Sequence, residues 1–209
     1  IESRQSYHIA IVNEIRRRLV GSMNTGYNRA VLVFFESISR LEEFYNFAQM
    51  SIRGMAKITE KTSQIEKEGN ISSAVSSGRV TLLTKAFGRG TDFICYDDQL
   101  QLNGGIHVIQ TFFSSNKSEE VQIKGRTARQ GNKGSYSLVM LDEDLERVGI
   151  NEDLIREMKG TKNYYEILNR QREIYFEKQY LQDIQHVEEI KQDHQKSLSF
   201  VSNLMKIKT

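Results

Sequence analysis

Short runs of strand length alternate with helical patterns along the first two thirds of the chain. They are Ala30–Phe35, Val80–Thr84, Gly105–Thr111 and Ser135–Leu141. The first run is apolar throughout, which is typical of a strand buried on both faces of a sheet. Strands that alternate with helices predict parallel β-α-β units. The pattern therefore predicts an α/β fold, with a mostly parallel sheet and helices on both faces.

Helical spacing of apolar residues fills the gaps between these runs. Tyr7–Val20 shows it, and Ser37 is a predicted N-cap for a second helix that reaches Ala48. A short strand at Ala56–Thr59 and a polar helix from about Lys61 are predicted next. Because the chain contains no proline, its helices are expected to end at Gly, Asn or Ser.

The last part of the chain has a different pattern of apolar residues. No strand pattern appears between Tyr164 and Met205, where Ile167, Ile174 and Leu181 recur at seven-residue steps. This spacing predicts a long amphipathic helix or a helical hairpin packed on a neighbour. A partner-binding helix is one interpretation, and a scaffold helix that docks on the rest of a parent protein is the favoured one. We predict two parts, an α/β lobe over residues 1–150 and a helical extension over residues 151–209.

The net charge and the cysteine content limit the kinds of function that are expected of this chain. The net charge of +2 gives no electrostatic footprint for nucleic acid or for an anionic membrane. Cys95 is the single cysteine, so an internal disulfide framework is excluded and a reducing compartment is expected. No apolar run approaches the roughly 20 residues that span a bilayer. Since the chain starts at Ile1 without a signal-peptide pattern, we expect it to be part of a larger protein.

The sharpest motif is the segment Gln122–Gly131. Asn116 has the spacing of a capping-box N-cap, which predicts a helix over Ser118–Gln130. On such a helix Gln122, Arg126 and Arg129 stand at i, i+4 and i+7 and share one face. Two guanidinium groups on one face form a multidentate anion site that suits phosphate, and Gly125 leaves room for a close approach beside them.

A second motif, Thr84–Asp92, contains a glycine-rich loop after a predicted strand. Open α/β sheets bind ligands at the carboxyl ends of their strands. Gly88 and Gly90 permit positive φ angles and close backbone approach, and the Asp92 carboxylate can accept hydrogen bonds from ribose hydroxyls. Gly-x-Gly alone is weak evidence, and its position upstream of the arginine segment makes it specific.

These two strings resemble the end of the second lobe of helicase-type motor ATPases of superfamily 2. Within that superfamily the chain is most similar to the second nucleotide-binding domain of the SecA protein-translocation ATPases, over residues 8 to 150. The similar segments are Ile11–Arg17, Val31–Ile38, Val80–Asp92, Gly104–Ile109, Gly125–Gly131 and Asp142–Leu145. The chain departs from the SecA pattern at Gln110–Ser114, at Lys117–Glu120 and across Ala48–Gly69.

The resemblance implies a RecA-like three-layer lobe that forms half of an ATP site. ATP with Mg²⁺ is expected in a cleft against a first RecA-like lobe, which is expected to supply the phosphate loop and the Mg²⁺ ligands. Arg126 and Arg129 are the implied arginine fingers. The implied nucleotide contacts are Gly88, Gly90, Thr91, Asp92, Gln122 and Gly125.

The same resemblance implies the partners of the parent motor. They are unfolded polypeptide and a membrane translocon, in a cytoplasmic protein that works at a membrane. The alternatives left open are a lobe of a superfamily 2 nucleic-acid helicase and a non-catalytic module derived from SecA.

Two other patterns carry less weight. Leu138–Asp144 looks like a Walker B strand, but the chain has no Gly-x4-Gly-Lys-Ser/Thr loop to hold the phosphates. We therefore predict a helix N-terminus at Asp142. The four histidines are scattered without metal-ligand spacing, so no metal site is predicted.

Overall fold

The computed structural model describes residues 3–20, 27–128, 131–161 and 163–206. Five parallel strands form one sheet in the order β2-β3-β1-β4-β5. The strands are β1 (Val31–Phe35), β2 (Ala56–Ile58), β3 (Val80–Thr84), β4 (Ile106–Gln110) and β5 (Gly134–Leu138). The helices are α1 (Arg4–Leu19), α2 (Ile38–Ala48), α3 (Gln64–Ser73), α4 (Asp98–Leu102), α5 (Lys117–Lys124), α6 (Asp142–Leu145), α7 (Glu152–Gly160) and α8 (Tyr164–Lys206).

The central strand β1 explains the apolar runs of the sequence. In the register of the sheet Val31 lies between Val80 of β3 and His107 of β4. Every residue of β1, β3 and β4 is buried, whereas β5 at the edge is only half-buried. Strands covered on both faces need apolar side chains on both, so alternation is absent from them. The predicted parallel sheet is confirmed.

Helices cover both faces of the sheet and make three layers. On one face Ile15 of α1 and Phe44 of α2 pack against Val33. On the other face Leu32 and Phe34 pack with Ala74, Leu100 and Ile123, which come from the α3–α5 side of the molecule. This arrangement confirms the expected α/β fold of the RecA-like type.

The end of the lobe and the start of α8 share a third apolar cluster. Its buried members include Phe113, Leu145, Ile155 and Leu168. The predicted division at residue 150 stays a prediction, since this cluster contains residues from both sides of it.

The tail is a single helix and not a hairpin. Helix α8 has 43 residues, which corresponds to a length of about 65 Å. Its first turns bury Leu168 and Arg172, but every side chain from Tyr180 to Asn203 is exposed. Leu181 of the seven-residue stripe is 65% exposed, so the stripe leaves the lobe without packing on it. Among the helices that the structure describes, none is both long enough and apolar enough to cross a membrane.

Helix ends are where the structure departs from the predictions. Asn116 caps α5 as expected, because its Oδ1 accepts a hydrogen bond from the Ser118 amide at 2.8 Å. The helix ends at Lys124, however, with Gly125 as C-cap. A prediction that extended it to Gln130 was therefore wrong. Helix α6 begins at Asp142, which agrees with the interpretation of the acidic run as a helix N-terminus.

Candidate functional site

The glycine loop follows directly from the carboxyl end of β3. A 3-10 turn over Lys85–Gly88 leaves the sheet, and the chain then extends through Arg89. Gly90 has a φ of 67°, a left-handed conformation that favours glycine. At Gly88 the requirement is space, since a Cβ would lie 2.7 Å from Cγ1 of the buried Ile123. The two glycines thus serve different purposes, one for the backbone turn and one for contact with α5.

Arg126 joins the two motifs of the sequence. Its side chain is directed into the glycine loop, and the residue is only 6% exposed. Nε and Nη2 donate hydrogen bonds to the Gly88 carbonyl at 3.0 and 2.6 Å, and Nη1 donates to the Thr91 carbonyl. Because α5 has already ended, Arg126 shares no helical face with Gln122. The expected arrangement at i and i+4 is corrected by a turn that aims the guanidinium at the loop backbone.

The remaining predicted residues are placed as follows. Arg129 lies outside the described residues, as does Gln130 beside it. Gln122 is half-buried, and its Oε1 is a buried acceptor without a hydrogen-bond partner among the described residues. Thr91 is half-buried and Asp92 is exposed, three and four residues past Gly88. The structure therefore brings the loop Gly88–Asp92, Arg126 and the end of α5 to one place.

The turn after α5 is held to the sheet. Thr127 donates its hydroxyl to the Ile106 carbonyl at 2.6 Å. A Cβ at Gly134 would lie 1.9 Å from the Thr127 hydroxyl oxygen, so the turn packs directly on the start of β5. Ala128 has a φ of 55°, which is strained for a residue with a Cβ. A strained residue beside a candidate site is typical of functional turns.

The cleft behind the loop is too small to enclose a nucleotide. It is lined by Asp92, Phe93, Cys95 and Arg126, with other residues of the same region, and measures about 20 Å³. A single water molecule needs roughly 10–15 Å³ of such space. Any nucleotide held by this loop must therefore lie against the outside of the lobe.

Residues that departed from the expected pattern build a second contact, between α5 and α8, whose ion pair is buried. Glu120 of α5 accepts hydrogen bonds from Tyr165 and from the guanidinium of Arg172, both on α8. The side chains of Glu120 and Arg172 are 4% and 3% exposed, and the guanidinium carbon lies 4.3 Å from the centre of the Phe113 ring. Burial, and then the bond to Glu120, raises the pKa of Tyr165. Sequence reasoning missed this contact because its members lie 52 residues apart, without a local motif.

The acidic run at Asp142–Asp144 is used for structure. Asp144 pairs with Arg40 at 2.8 Å, and Glu143 pairs with Arg4 at 3.3 Å. These ion pairs tie α6 to α2 and α1. Among the described residues no group of three or more His, Cys, Asp or Glu side chains could hold a metal ion. The acidic residues therefore act as helix-terminal anchors in this part of the chain.

Comparisons with known proteins agree with this geometry. The family model described as "Helicase conserved C-terminal domain" matches residues 11–131. The chain is 35% identical to the protein translocase subunit SecA 2 of Magnetococcus marinus over 61% of this chain and 19% of that protein. It is 31% identical to that of Geobacillus thermodenitrificans over 69% and 18%. It is also 33% identical to the subunit SecA of Chlamydia pneumoniae over 68% and 14%.

A solved structure shares the fold. Domain 2 of the Mss116p DEAD-box helicase, solved with an RNA duplex, superposes with a TM-score of 0.53 at 18% identity, over 76% of this chain and 56% of that one. The chain spans less than a fifth of the length of the translocase subunits that it matches. From the match over 11–131, the chain belongs to the helicase conserved C-terminal domain family, and within it the chain is similar to the SecA translocase subunits.

Proposed function

We propose that this chain is the second RecA-like lobe of a SecA-type motor, and that it forms half of an ATP site completed by a first lobe elsewhere in the parent protein. The observation that carries the proposal is the Arg126 fork, which joins the glycine loop and the end of α5 into one surface. The cleft behind that surface has room for about one water, so a nucleotide must be covered from the other side. In the parent this arrangement requires a partner surface.

The groups at this surface suit the sugar side of a nucleotide. Asp92 offers an exposed carboxylate, an acceptor for ribose hydroxyls. Gln122, whose Oε1 is buried without a hydrogen-bond partner among the described residues, is proposed to link α5 to the nucleotide or to the lobe interface. Mg²⁺, by contrast, prefers carboxylate ligands together with phosphate oxygens. We assign its ligands to the first lobe, together with the phosphate loop that the sequence of this chain does not contain.

Arg126 and Arg129 are proposed to stabilise the charge that develops on the transferred phosphate. An arginine finger of this kind contributes roughly 10³–10⁵ in rate. Arg126 is bonded to the loop in this structure. A direct contact with phosphate therefore requires its guanidinium to exchange those carbonyls for phosphate oxygens as the lobes close. Arg129 is proposed as the second finger on sequence grounds alone.

Coupling between ATP and motion follows from a site shared by two lobes. Binding and loss of the nucleotide close and open the cleft. By analogy with the translocase subunits, we propose that unfolded polypeptide is the substrate and that the parent works in the cytoplasm at a membrane translocon.

The test is steady-state ATP hydrolysis by the full-length parent. Arg129→Ala is expected to lower turnover by at least about 100-fold, because a finger acts on transition-state charge. Arg129→Lys should rescue poorly, since lysine keeps the charge and loses the planar fork. Arg156→Ala on α7 is the control, because its side chain is 74% exposed. Near-normal turnover in Arg129→Ala would refute the finger, and a parent without any ATPase would favour a non-catalytic module.

The isolated chain provides a second test of the half-site. It is expected to show no sustained ATP turnover, because the phosphate loop is absent from its sequence. Weak binding of Mg-ADP should shift backbone amide resonances at residues 88–92 and near 125, followed by NMR. Turnover by the purified chain, free of contaminating ATPase, would refute the assignment of one lobe.

A nucleic-acid helicase lobe is the second candidate. The likeness to Mss116p, whose domain was solved with an RNA duplex, favours it, although 18% identity shows the fold alone. The net charge of +2 argues for weak, unspecific binding. Fluorescence anisotropy with single-stranded RNA distinguishes the two. A sub-micromolar Kd at physiological salt that weakens steeply as salt rises would favour the helicase.

A further inference from the structure

Helix α8 is attached to the lobe through a polar contact with α5 in which the ion pair is buried and Tyr165, at its edge, is 43% exposed. We call its three members, Glu120, Tyr165 and Arg172, the α5–α8 cluster. Glu120 accepts a hydrogen bond from each of the other two, and Arg172 also lies over the Phe113 ring at 4.3 Å. Arg172 and Glu120 are both buried. The root of α8 is thus held by charge as well as by apolar packing.

Such a contact does not tolerate sliding. A buried ion pair is costly to break, because removing one partner leaves an uncompensated charge in an apolar environment. Besides Glu120, Arg172 reaches the Asn169 Oδ1 on its own helix, to which Nη1 donates at 3.4 Å, but this neutral group does not neutralise the charge as the Glu120 carboxylate does. The Nε of Arg172 lacks a partner among the described residues. Movement of the α8 root relative to α5 would separate Arg172 from Glu120. The two helices are therefore expected to move as one body.

Helix α5 carries this constraint to the glycine loop. It has only eight residues, so displacement at Glu120 reaches its last turn. Ile123 of that turn touches Gly88 so closely that a Cβ there would lie 2.7 Å from it. Two residues past the helix, Arg126 donates hydrogen bonds to the Gly88 and Thr91 carbonyls. A continuous series of buried contacts therefore runs from α8 to the loop.

The other end of α8 is positioned to be displaced. From Tyr180 to Asn203 its side chains are exposed, over a length of roughly 35 Å at the rise of an α-helix. A force on this exposed segment reaches the lobe at the helix root, where Arg172 lies. Helix α8 thus combines a long exposed segment with a root that buried contacts fix to the lobe.

We propose that Glu120, Tyr165 and Arg172 are positioning residues that couple helix α8 to the loop Gly88–Asp92. The role of that loop at a nucleotide rests on the function proposed above, whereas the coupling itself is a property of this chain. Through the cluster, the orientation of α8 sets the position of the loop and of Arg126. In the parent, whatever moves α8 would thereby alter the half-site, and closure at the half-site would move α8.

The experiment is hydrogen–deuterium exchange of the chain without nucleotide, read by mass spectrometry. Arg172→Met removes the charge and the hydrogen-bond donors and keeps an unbranched apolar side chain. We expect amide exchange at residues 86–92 and 125–128 to rise at least ten-fold, with β1 and β3 unchanged. Arg170→Met is the matched control, because Arg170 is exposed on the same helix. It should change neither segment.

Two outcomes would overturn the coupling. An increase confined to residues 164–175 would mean that the cluster anchors α8 and does nothing further. An equal increase in β1 and β3 would mean a general loss of stability. If Arg172→Met does not fold, Tyr165→Phe removes a single donor to Glu120 and should give the same pattern at smaller amplitude. The absence of that pattern would refute the proposal equally.

Reciprocity provides a readout that a mere anchor would not give. Coupling between two sites acts equally in both directions. Gly88→Ala, which pushes on Ile123 from the loop side, should therefore raise amide exchange at residues 165–172 by more than in β1 and β3. No change there would contradict the proposal. Because nucleotide is absent throughout, these results stand apart from the ATPase test of the parent, and either can fail alone.

Discussion

Replacement of Arg126 by alanine is expected to destabilise the lobe as well as to affect its site. The side chain is 6% exposed and makes three hydrogen bonds to two backbone carbonyls. A hydrogen bond from a charged donor contributes roughly 1.5–3 kcal/mol net. The three bonds share one guanidinium and cannot be added. A loss of about 2–4 kcal/mol in the free energy of unfolding is the expected result.

Urea unfolding followed by circular dichroism measures this loss. With a urea dependence of about 2 kcal/mol per molar, the midpoint should fall by about 1–2 M. Arg126→Lys should fall in between, because an ammonium group can reach one carbonyl and lacks the fork. Arg89→Ala is the matched control from the same loop. Arg89 is exposed, so its loss should change stability by less than about 0.5 kcal/mol.

Equal midpoints for Arg126→Ala and the unmodified chain would refute the reasoning. They would mean that the Gly88 and Thr91 carbonyls find other donors, water included, without cost. The interpretation of ATPase measurements depends on this result. A turnover defect in Arg126→Ala can arise from a displaced loop, whereas the same defect in a folded, stable Arg129→Ala points to phosphate itself.

Three further predictions concern the same lobe. Gly88→Ala should lower the free energy of unfolding by about 1–3 kcal/mol, because the added methyl group overpacks against Ile123. In urea unfolding, the double variant with Ile123→Ala should lose less than the sum of the two single losses. Strict additivity would contradict a direct contact between the two residues. Ala128→Gly should raise the urea midpoint by relieving the φ of 55°, a gain of about 0.5–1 kcal/mol, and a lower midpoint would argue against strain. Burial lowers the pKa of His107 to about 3, so the unfolded chain binds the proton more readily than the folded chain. The free energy of unfolding should therefore decrease as pH falls from about 6.5 towards 3. His107→Gln should flatten this pH dependence, and an unchanged dependence would exclude His107 as its source.

The sheet could be predicted from the sequence because each of its main strands can be recognised from the residues of that strand alone. Continuous apolar stretches such as Val31–Phe35 mark strands covered on both faces, and burial of all five residues agrees. Parallel order follows from the intervening helices. The start of α5 at Asn116 could be predicted in the same way, because an N-cap side chain bonds to an amide only two or three residues further along the chain. Local signals therefore predicted most of the architecture.

Contacts between distant residues could not be predicted in this way. Glu120 and Arg172 carry opposite charges, but so do many pairs in a chain with 27% charged residues. Only the packing of α8 against the lobe selects this pair. The stripe at Ile167, Ile174 and Leu181 correctly predicted a helix and suggested a neighbour for it, yet Leu181 is 65% exposed within this chain. The spacing of apolar residues shows that one face of the helix is apolar, but it does not identify what packs against that face.

Arg126 shows how a correct motif can lead to an incorrect geometry. The spacing of Gln122, Arg126 and Arg129 fits one helical face only if the helix continues, and Gly125 ends it. Glycine was interpreted as room for a close approach, whereas in the structure the nearest atoms to its virtual Cβ are carbonyls of its own helix. The turn that follows directs Arg126 onto Gly88 and Thr91. Glycine at a helix end is at least as common as glycine at a contact, so the end of the helix decides which groups the arginine can reach. Any contact of Arg126 with phosphate must therefore compete with bonds that already hold the loop in place.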